Sequence, residues 1–197
     1  MKVIAYYTEN TDYKKEADRL EASLINIGID YEITPVKNLG SWQLNTRYKA
    51  TFLKEQIIKH LGGEPLLYVD VDAVIHEYPH ELENIKQSIA VRFEDFPWQK
   101  NNCLSGTIFI KPNVSMIRLC KDWELRNLLT KDRDKNLEQD NLGDLLNEYC
   151  YRHPYHFDYK ILDVEYCFIF DIHKKMYPDK KPIIERLQAS RRLKHKV

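Results

Sequence analysis

The sequence predicts an α/β protein whose first half is a parallel sheet and whose second half contains a mixed sheet. Over the first 72 residues, apolar β-rich segments alternate with amphipathic helical segments, an order that is typical of parallel sheets covered by helices. In the second half, β-rich segments at residues 89–93 and 107–110 follow each other with only a loop between them, and two helical segments come next. The pattern indicates one domain with two lobes.

Each element follows from a local pattern. Ala17, Leu20 and Leu24 have helical spacing, and Gly28 ends that helix. Residues 66–71 form an almost fully apolar run, which suits a strand in the middle of a sheet covered on both faces. Strands are expected at residues 2–8, 31–36, 66–71, 89–93, 107–110 and 161–166, and a last apolar stretch lies at residues 182–187. Helices are expected at residues 14–27, 47–61, 116–129 and 138–149.

Composition and charge argue against several classes of protein. The chain has 197 residues, with 30 Lys and Arg against 30 Asp and Glu, and this balance does not favour a nucleic-acid-binding protein. It contains no run of about 18 apolar residues, so no membrane insertion is expected. The N-terminus lacks the apolar stretch of a secretion signal, and the four cysteines form no C-x-x-C pair. We therefore expect free thiols and a cytoplasmic protein.

The sequence LLYVDVD at residues 66–72 is the most informative feature. Asp70 and Asp72 follow the apolar strand, and residues i and i+2 of a strand face the same way. They are expected at the carboxyl end of a central strand, where open α/β sheets bind ligands. Two adjacent carboxylates repel each other unless a cation lies between them, and oxygen ligands favour Mg²⁺ or Mn²⁺. The alternative is a strand that ends in two solvated turn aspartates.

Positive charge is concentrated near the C-terminus. From residue 180 onward there are seven Lys or Arg residues and one Glu. Arg191, Arg192 and Lys194 could close over a diphosphate, because arginine offers two parallel hydrogen bonds to such a group. The alternative is a solvated tail without a ligand.

The D-x-D spacing occurs in two classes of enzyme. Haloacid-dehalogenase-type phosphatases have a D-x-D-x-[TV] motif, which residues 70–74 fit. That motif normally ends the first strand and has Gly after its second Asp, whereas here two strand–helix units precede it and Ala73 follows Asp72. A phosphatase that uses Asp70 and Asp72 remains an alternative.

The second class resembles the chain over most of its length, from residue 3 to about residue 194. The order of elements up to the D-x-D strand is similar to that of glycosyltransferases of the GT-A fold, in particular small bacterial and phage members related to family 8. Residues 104–110 resemble the strand that follows in that family, and residues 138–142 (EQDNL) resemble the opening of a helix near the sugar. Residues 184–192 resemble the closing segment.

This resemblance implies a GT-A-like three-layer sandwich that transfers a sugar from a nucleotide diphosphate sugar, with a UDP-sugar preferred. The sequence does not identify the acceptor. The only role that we consider for a nucleic acid is that of the acceptor. The expected divisions are a nucleotide-binding half at 1–72, an acceptor half at 73–180 and a basic C-terminal segment at 181–197. The chain lacks the late H-x-x-G-x-x-K-P-W motif whose histidine completes the metal site in related enzymes. A non-catalytic domain that binds a nucleotide-sugar or a partner is therefore a second alternative.

The resemblance and the local chemistry together assign the site residues. Asp70 and Asp72 would hold Mn²⁺ or Mg²⁺. Gln139, Asp140 and Asp95 are the catalytic candidates, although a helix N-terminus also explains Asp140 through the helix dipole. The candidates for donor binding are Tyr7, Thr8, Arg47, Lys49, Asp70, Ser105, Gly106, Arg191, Arg192 and Lys194.

Overall fold

The computed structural model describes residues 1–94, 102–130, 138–152 and 157–193. In these ranges the strands are β1 (Lys2–Thr8), β2 (Tyr31–Val36), β3 (Leu66–Val69), β4 (Ala73–Ile75), β5 (Ile89–Phe93), β6 (Cys103–Ile110), β7 (Lys160–Ile161), β8 (Phe168–Ile169) and β9 (Ile184–Arg186). The helices are α1 (Tyr13–Ile27), α2 (Trp42–Arg47), α3 (Lys49–Lys59), α4 (Val114–Leu129), α5 (Glu138–Arg152), α6 (His173–Met176) and α7 (Ser190–Leu193). Short 3-10 helices cover His80–Asn84 and Val164–Tyr166.

Within the described ranges, a six-stranded sheet with the order β2-β1-β3-β6-β5-β7 forms the centre of the fold. β1 pairs in parallel with both β2 and β3, so these three strands end at the same edge of the sheet. β6 runs antiparallel to β3 and to β5. The expected parallel first half and mixed second half are confirmed, and the carboxyl ends of β1 and β3 lie side by side.

Other elements cover both faces of this sheet. On one face, α3, α4 and α5 pack against strand side chains that include Ile4, Tyr68 and Ile108. On the other face, α1 and the second sheet pack against Val3 and Leu67. The apolar run of β3 is buried on both faces, as a central strand requires. The expected three-layer α/β architecture is therefore confirmed.

A second sheet of three short strands in the described part of the chain, ordered β4-β9-β8, begins directly after the D-x-D sequence. Ala73 of β4 pairs with Arg186 of the antiparallel strand β9. This pairing brings Arg186 next to Asp70, although the two residues are 116 positions apart in the sequence.

Several boundaries differ from those expected, and β6, for example, begins at Cys103 and not at residue 107. The helix expected at residues 47–61 is two helices, and the first begins earlier because the Ser41 hydroxyl accepts a hydrogen bond from the Leu44 amide and caps α2. The strand expected at residues 161–166 is two residues long and gives way to a 3-10 turn. The apolar stretch at residues 182–187 contains β9, a strand of three residues.

The four cysteines, all of which lie in the described ranges, are free thiols, as expected. Cys103, Cys120 and Cys167 are buried, and burial raises the pKa of the Cys120 thiol to about 12, which keeps it neutral at physiological pH. None of the helices described above is both long enough and apolar enough to cross a membrane.

Candidate functional site

A cavity with a volume of about 290 Å³ lies at the carboxyl ends of β1 and β3. The described residues that line it come from the end of β1, the start of α1, helix α2, the start of α3, β3 and the turn after it, β6, the start of α5, the region of β8, and the segment from β9 onward. Open α/β sheets bind their ligands at this edge. We therefore take this cavity as the candidate functional site.

The D-x-D sequence forms a turn beside the cavity. β3 ends at Val69, and the backbone N–H of Asp70 donates to the carbonyl oxygen of Gly106 on β6 at 2.9 Å. The N–H of Ala73 then donates to the carbonyl oxygen of Asp70 at 2.9 Å, which closes a turn. We expected strand geometry to point the two carboxylates to one side. That expectation is wrong, because Asp70 and Asp72 lie in a turn, and the turn determines the directions of their side chains. Both Asp70 and Asp72 nevertheless line the cavity.

Asp70 is surrounded by donors. Its Oδ1 accepts a hydrogen bond from the Tyr68 hydroxyl at 2.8 Å and lies 3.0 Å from Nζ of Lys49. Its Oδ2 accepts a hydrogen bond from the Arg186 guanidinium. Burial raises the pKa of Asp70, but the charges of Lys49 and Arg186 outweigh burial and hold the pKa below its usual value. Asp70 is thus an ionised carboxylate with both oxygens engaged.

Lys49 joins three elements at the cavity. It begins α3, and its Nζ lies 2.9 Å from Oε1 of Glu138 and 2.9 Å from Oγ of Ser105. Burial lowers the pKa of Lys49, but Asp70 and Glu138 together raise it above its usual value. Burial also raises the pKa of Glu138, and the nearby Lys49 offsets this rise only in part. Lys49 is therefore a buried, charged group that holds β3, β6 and α5 together.

The carboxylate of Asp72 accepts fewer hydrogen bonds than the carboxylate of Asp70. Its Oδ2 accepts a hydrogen bond from the N–H of Ala189 at 2.7 Å, whereas no group in the described ranges donates to its buried Oδ1. Burial raises the pKa of Asp72, Arg186 lowers it and Asp70 raises it, and the net result is a pKa above the usual value. The two aspartates therefore have different electrostatic environments.

Arg186 is the charged residue of the site that the sequence analysis did not single out. Its guanidinium lies against Gly106, where an added Cβ would overlap it. Burial lowers the pKa of Arg186, but Asp70 and Cys167 raise it, so the guanidinium remains charged. Arg186 thus contributes a positive charge beside Asp70, where the sequence led us to expect a metal ion.

Several residues that the sequence analysis singled out line the cavity. Tyr7 and Thr8 lie at the end of β1, Ser105 lies on β6, and Gln139 lies in the first turn of α5. Asp140 is buried and is not among the described lining residues. The structure thus brings four of these five residues to one cavity, and their roles stay predictions.

The basic C-terminal segment is partly neutralised by distant acidic residues. Arg191 lines the cavity and pairs with Asp171. Arg192 instead contacts Glu16 of α1, with 3.2 Å between Nη2 and Oε1. A closing movement over a diphosphate stays a prediction, and it would have to break these ion pairs.

Four other predicted site residues are not placed at the cavity. Arg47 and Gly106 are not among its described lining residues, and the carbonyl oxygen of Arg47 accepts a hydrogen bond from the Asn127 amide at 3.4 Å. Asp95 and Lys194 lie outside the described residues.

Aromatic residues that the sequence analysis did not single out also line the cavity with Tyr7, and two of them begin helices. Tyr13 is the first residue of α1 and Trp42 is the first residue of α2. Burial raises the pKa of Tyr13 to about 12, and Asp72 and Asp70 act in the same direction, so its phenol is neutral at physiological pH. Their positions at the starts of helices could have indicated them, because helices that follow parallel strands begin at the ligand-binding edge of the sheet.

The side-chain oxygen atoms at the site are a poor fit for the coordination of a divalent cation. In residues 1–94, 102–130, 138–152 and 157–193, no group of three or more His, Cys, Asp or Glu side chains is arranged to hold a metal ion. Asp70 and Asp72 would be the ligands, but only Oδ1 of Asp72 lacks a donor among the described residues. Arg186 beside Asp70 would also repel a second cation. The requirement for Mn²⁺ or Mg²⁺ stays a prediction.

Three solved structures of glycosyltransferases have a fold similar to that of this chain. The chain is similar to a glycosyltransferase involved in the glycosylation of the major capsid of PBCV-1, with a TM-score of 0.65 and 16% identity over 97% of this chain and 96% of that chain. It is also similar to two structures of the glycosyltransferase GlyE of Streptococcus pneumoniae TIGR4, with TM-scores of 0.61 and 0.55 and identities of 13% and 15%. These matches cover 94% of this chain and 53% of GlyE. No protein-family model and no curated protein matches the chain. The chain therefore has the glycosyltransferase-like fold that the resemblance implied.

Proposed function

We propose that the chain is a glycosyltransferase that moves a sugar from a nucleotide diphosphate sugar, with a UDP-sugar preferred, to an acceptor. The observation that carries this proposal is the cavity at the carboxyl ends of β1 and β3, in a fold that solved glycosyltransferases share. The phosphatase alternative is not favoured. A phosphatase would need Asp70 as a free nucleophile, whereas both carboxylate oxygens of Asp70 are engaged in hydrogen bonds or ion pairs.

The aromatic part of the cavity suits a nucleotide base. Tyr7, Tyr13 and Trp42 line it and offer flat apolar surfaces on which a base can stack. The hydroxyl of Thr8, at the end of β1, could hydrogen-bond to the base or the ribose. This end of the cavity would position the nucleotide.

The charged part of the cavity suits the departing diphosphate. Lys49, Arg186 and Arg191 line it, and charged N–H donors stabilise negative charge that develops on a leaving group. Gln139 lies in the first turn of α5 on the same cavity, where its amide could contact a sugar hydroxyl. The proposed chemistry is thus the displacement of a nucleoside diphosphate from the anomeric carbon, assisted by these cations.

Turnover of sugar donors tests the proposal. We expect the protein to release nucleotide from UDP-sugars in preference to GDP-sugars, and to release none from CMP-sugars, which carry a single phosphate; the rates are measured with Mn²⁺ and separately with a chelator. Gln139→Ala should lower this rate by about ten- to a hundredfold through lost positioning of the sugar. Gln87→Ala is the matched control, because that side chain contacts Asp158 and does not line the cavity. Donor binding without turnover would support the non-catalytic alternative, and failure of all donors to bind would contradict the proposal.

A further inference from the structure

We propose that Arg186, rather than a divalent cation, holds the diphosphate of the donor, so that donor binding does not require a metal. This inference rests on the proposed function, because it assumes a nucleoside diphosphate in the cavity. The inference concerns which positively charged group binds the diphosphate.

The position of Arg186 is built into the fold. β9 pairs with β4, the strand that follows the D-x-D turn, and places Arg186 opposite Ala73. The side chain then crosses β6 at Gly106, the point where an added Cβ would overlap the guanidinium. Its Nη2 donates to Oδ2 of Asp70, and 12% of the side chain is exposed. Strand pairing, a missing Cβ and an ion pair thus hold Arg186 beside the first aspartate.

The carboxylate oxygens leave little room for a metal ion at the same place. Asp70 already accepts contacts from Tyr68, Lys49 and Arg186, and Asp72 accepts one from Ala189. A divalent cation would have to displace the guanidinium from Asp70 or bind through Oδ1 of Asp72 alone. Mg²⁺-type sites use one or two carboxylates together with substrate phosphates, and a neighbouring guanidinium opposes such a site by charge repulsion.

Arg186 keeps donors that a phosphate could use. A guanidinium carries five N–H donors in a planar fork that matches phosphate geometry. One of them, on Nη2, is engaged by Asp70, and Nε is buried, so the remaining N–H groups of the two Nη atoms are the candidates for a phosphate. Arg186 also lines the cavity. It can therefore donate to a phosphate oxygen while it keeps its contact with Asp70.

The charge of the cavity is consistent with this role. Its described lining carries three cations and three carboxylates. The cations are Lys49, Arg186 and Arg191, and the carboxylates are Asp70, Asp72 and Glu138. Asp70, the first of the two aspartates that the sequence analysis paired with a metal, is thus already balanced by Lys49 and Arg186.

Titration calorimetry with UDP and GDP tests the inference on the wild-type protein, which avoids any variant that fails to fold. With a chelator present, we expect a dissociation constant within about threefold of the value measured with Mn²⁺. Arg186→Met should weaken binding by about ten- to a hundredfold. Arg126→Met is the matched control, because Arg126 is ion-paired with Glu148 and does not line the cavity.

The outcomes separate this inference from the function on which it rests. Binding that appears only with Mn²⁺ would overturn the inference and leave the proposed glycosyltransferase function intact. Unchanged binding by folded Arg186→Met, checked by circular dichroism, would overturn the inference as well. If neither nucleotide binds with or without Mn²⁺, the inference falls, and the donor screen described above then decides the proposed function separately.

Discussion

Replacing each aspartate of the D-x-D sequence by asparagine should change the stability of the ligand-free protein in different directions. Asp70→Asn removes the charge that balances two cations, Lys49 and Arg186, whose side chains are 4% and 12% exposed. Asp72→Asn removes a buried carboxylate whose Oδ1 has no donor among the described residues and whose pKa burial raises. We therefore expect Asp70→Asn to be destabilising and Asp72→Asn to be neutral or stabilising.

The size of the first effect follows from the contacts. Breaking a buried ion pair by removing one partner costs about 3–5 kcal/mol. Asparagine can still accept hydrogen bonds from Tyr68 and Lys49, and the Asp70 side chain is 21% exposed, so we expect the lower end, about 3 kcal/mol. For a protein of this length, that loss lowers the melting temperature by about 6–12 °C.

Thermal unfolding followed by circular dichroism at neutral pH, without nucleotide or metal, measures both variants. Asp18→Asn is the control, because Asp18 pairs with Lys14 on the exposed surface of α1 and should change stability by less than about 0.5 kcal/mol. Equal melting temperatures for Asp70→Asn and the wild type would refute the proposed ion-pair network. A large loss in Asp72→Asn would refute the assigned difference between the two aspartates.

Further predictions follow from the same contacts. The stability deficit of Asp70→Asn should be full at neutral pH and shrink below about pH 4 in acid unfolding curves, because the folded-state pKa of Asp70 is lowered and its contribution is lost as pH falls through that value. A constant deficit down to pH 2 would contradict this. Gly106→Ala should displace the Arg186 guanidinium and lower the unfolding free energy by about 1–3 kcal/mol in denaturant titrations, and an unchanged value would contradict the close approach. Trp42→Ala should weaken nucleotide binding by about 1–3 kcal/mol in calorimetry through lost stacking, whereas an unchanged affinity would place the base elsewhere.

The order of the main elements could be predicted from the sequence because it depends on local patterns. The apolar run of residues 66–71 indicated a central strand, and β3 is buried along its length. The aspartates after it indicated the ligand-binding edge, where the cavity lies. The start of α2 was missed because the Ser41 cap precedes a helix that carries few apolar residues.

The partner of Asp70 could not be predicted from local patterns. Arg186 reaches it through the pairing of β4 with β9, two three-residue strands that are far apart in the sequence. One signal was present, because Arg186 lies within residues 184–192, the segment that resembles the closing segment of the family. Glu138 was not singled out either, because its contact with Lys49 joins two residues that are 89 positions apart in the sequence.

A crystal structure of the protein soaked with UDP in the presence of a chelator tests the central claim most directly. We expect the base between Tyr7 and Trp42, at the carboxyl end of β1, and a diphosphate oxygen within hydrogen-bond distance of the Arg186 guanidinium. A nucleotide bound outside the cavity, or an empty cavity at saturating UDP, would contradict the account.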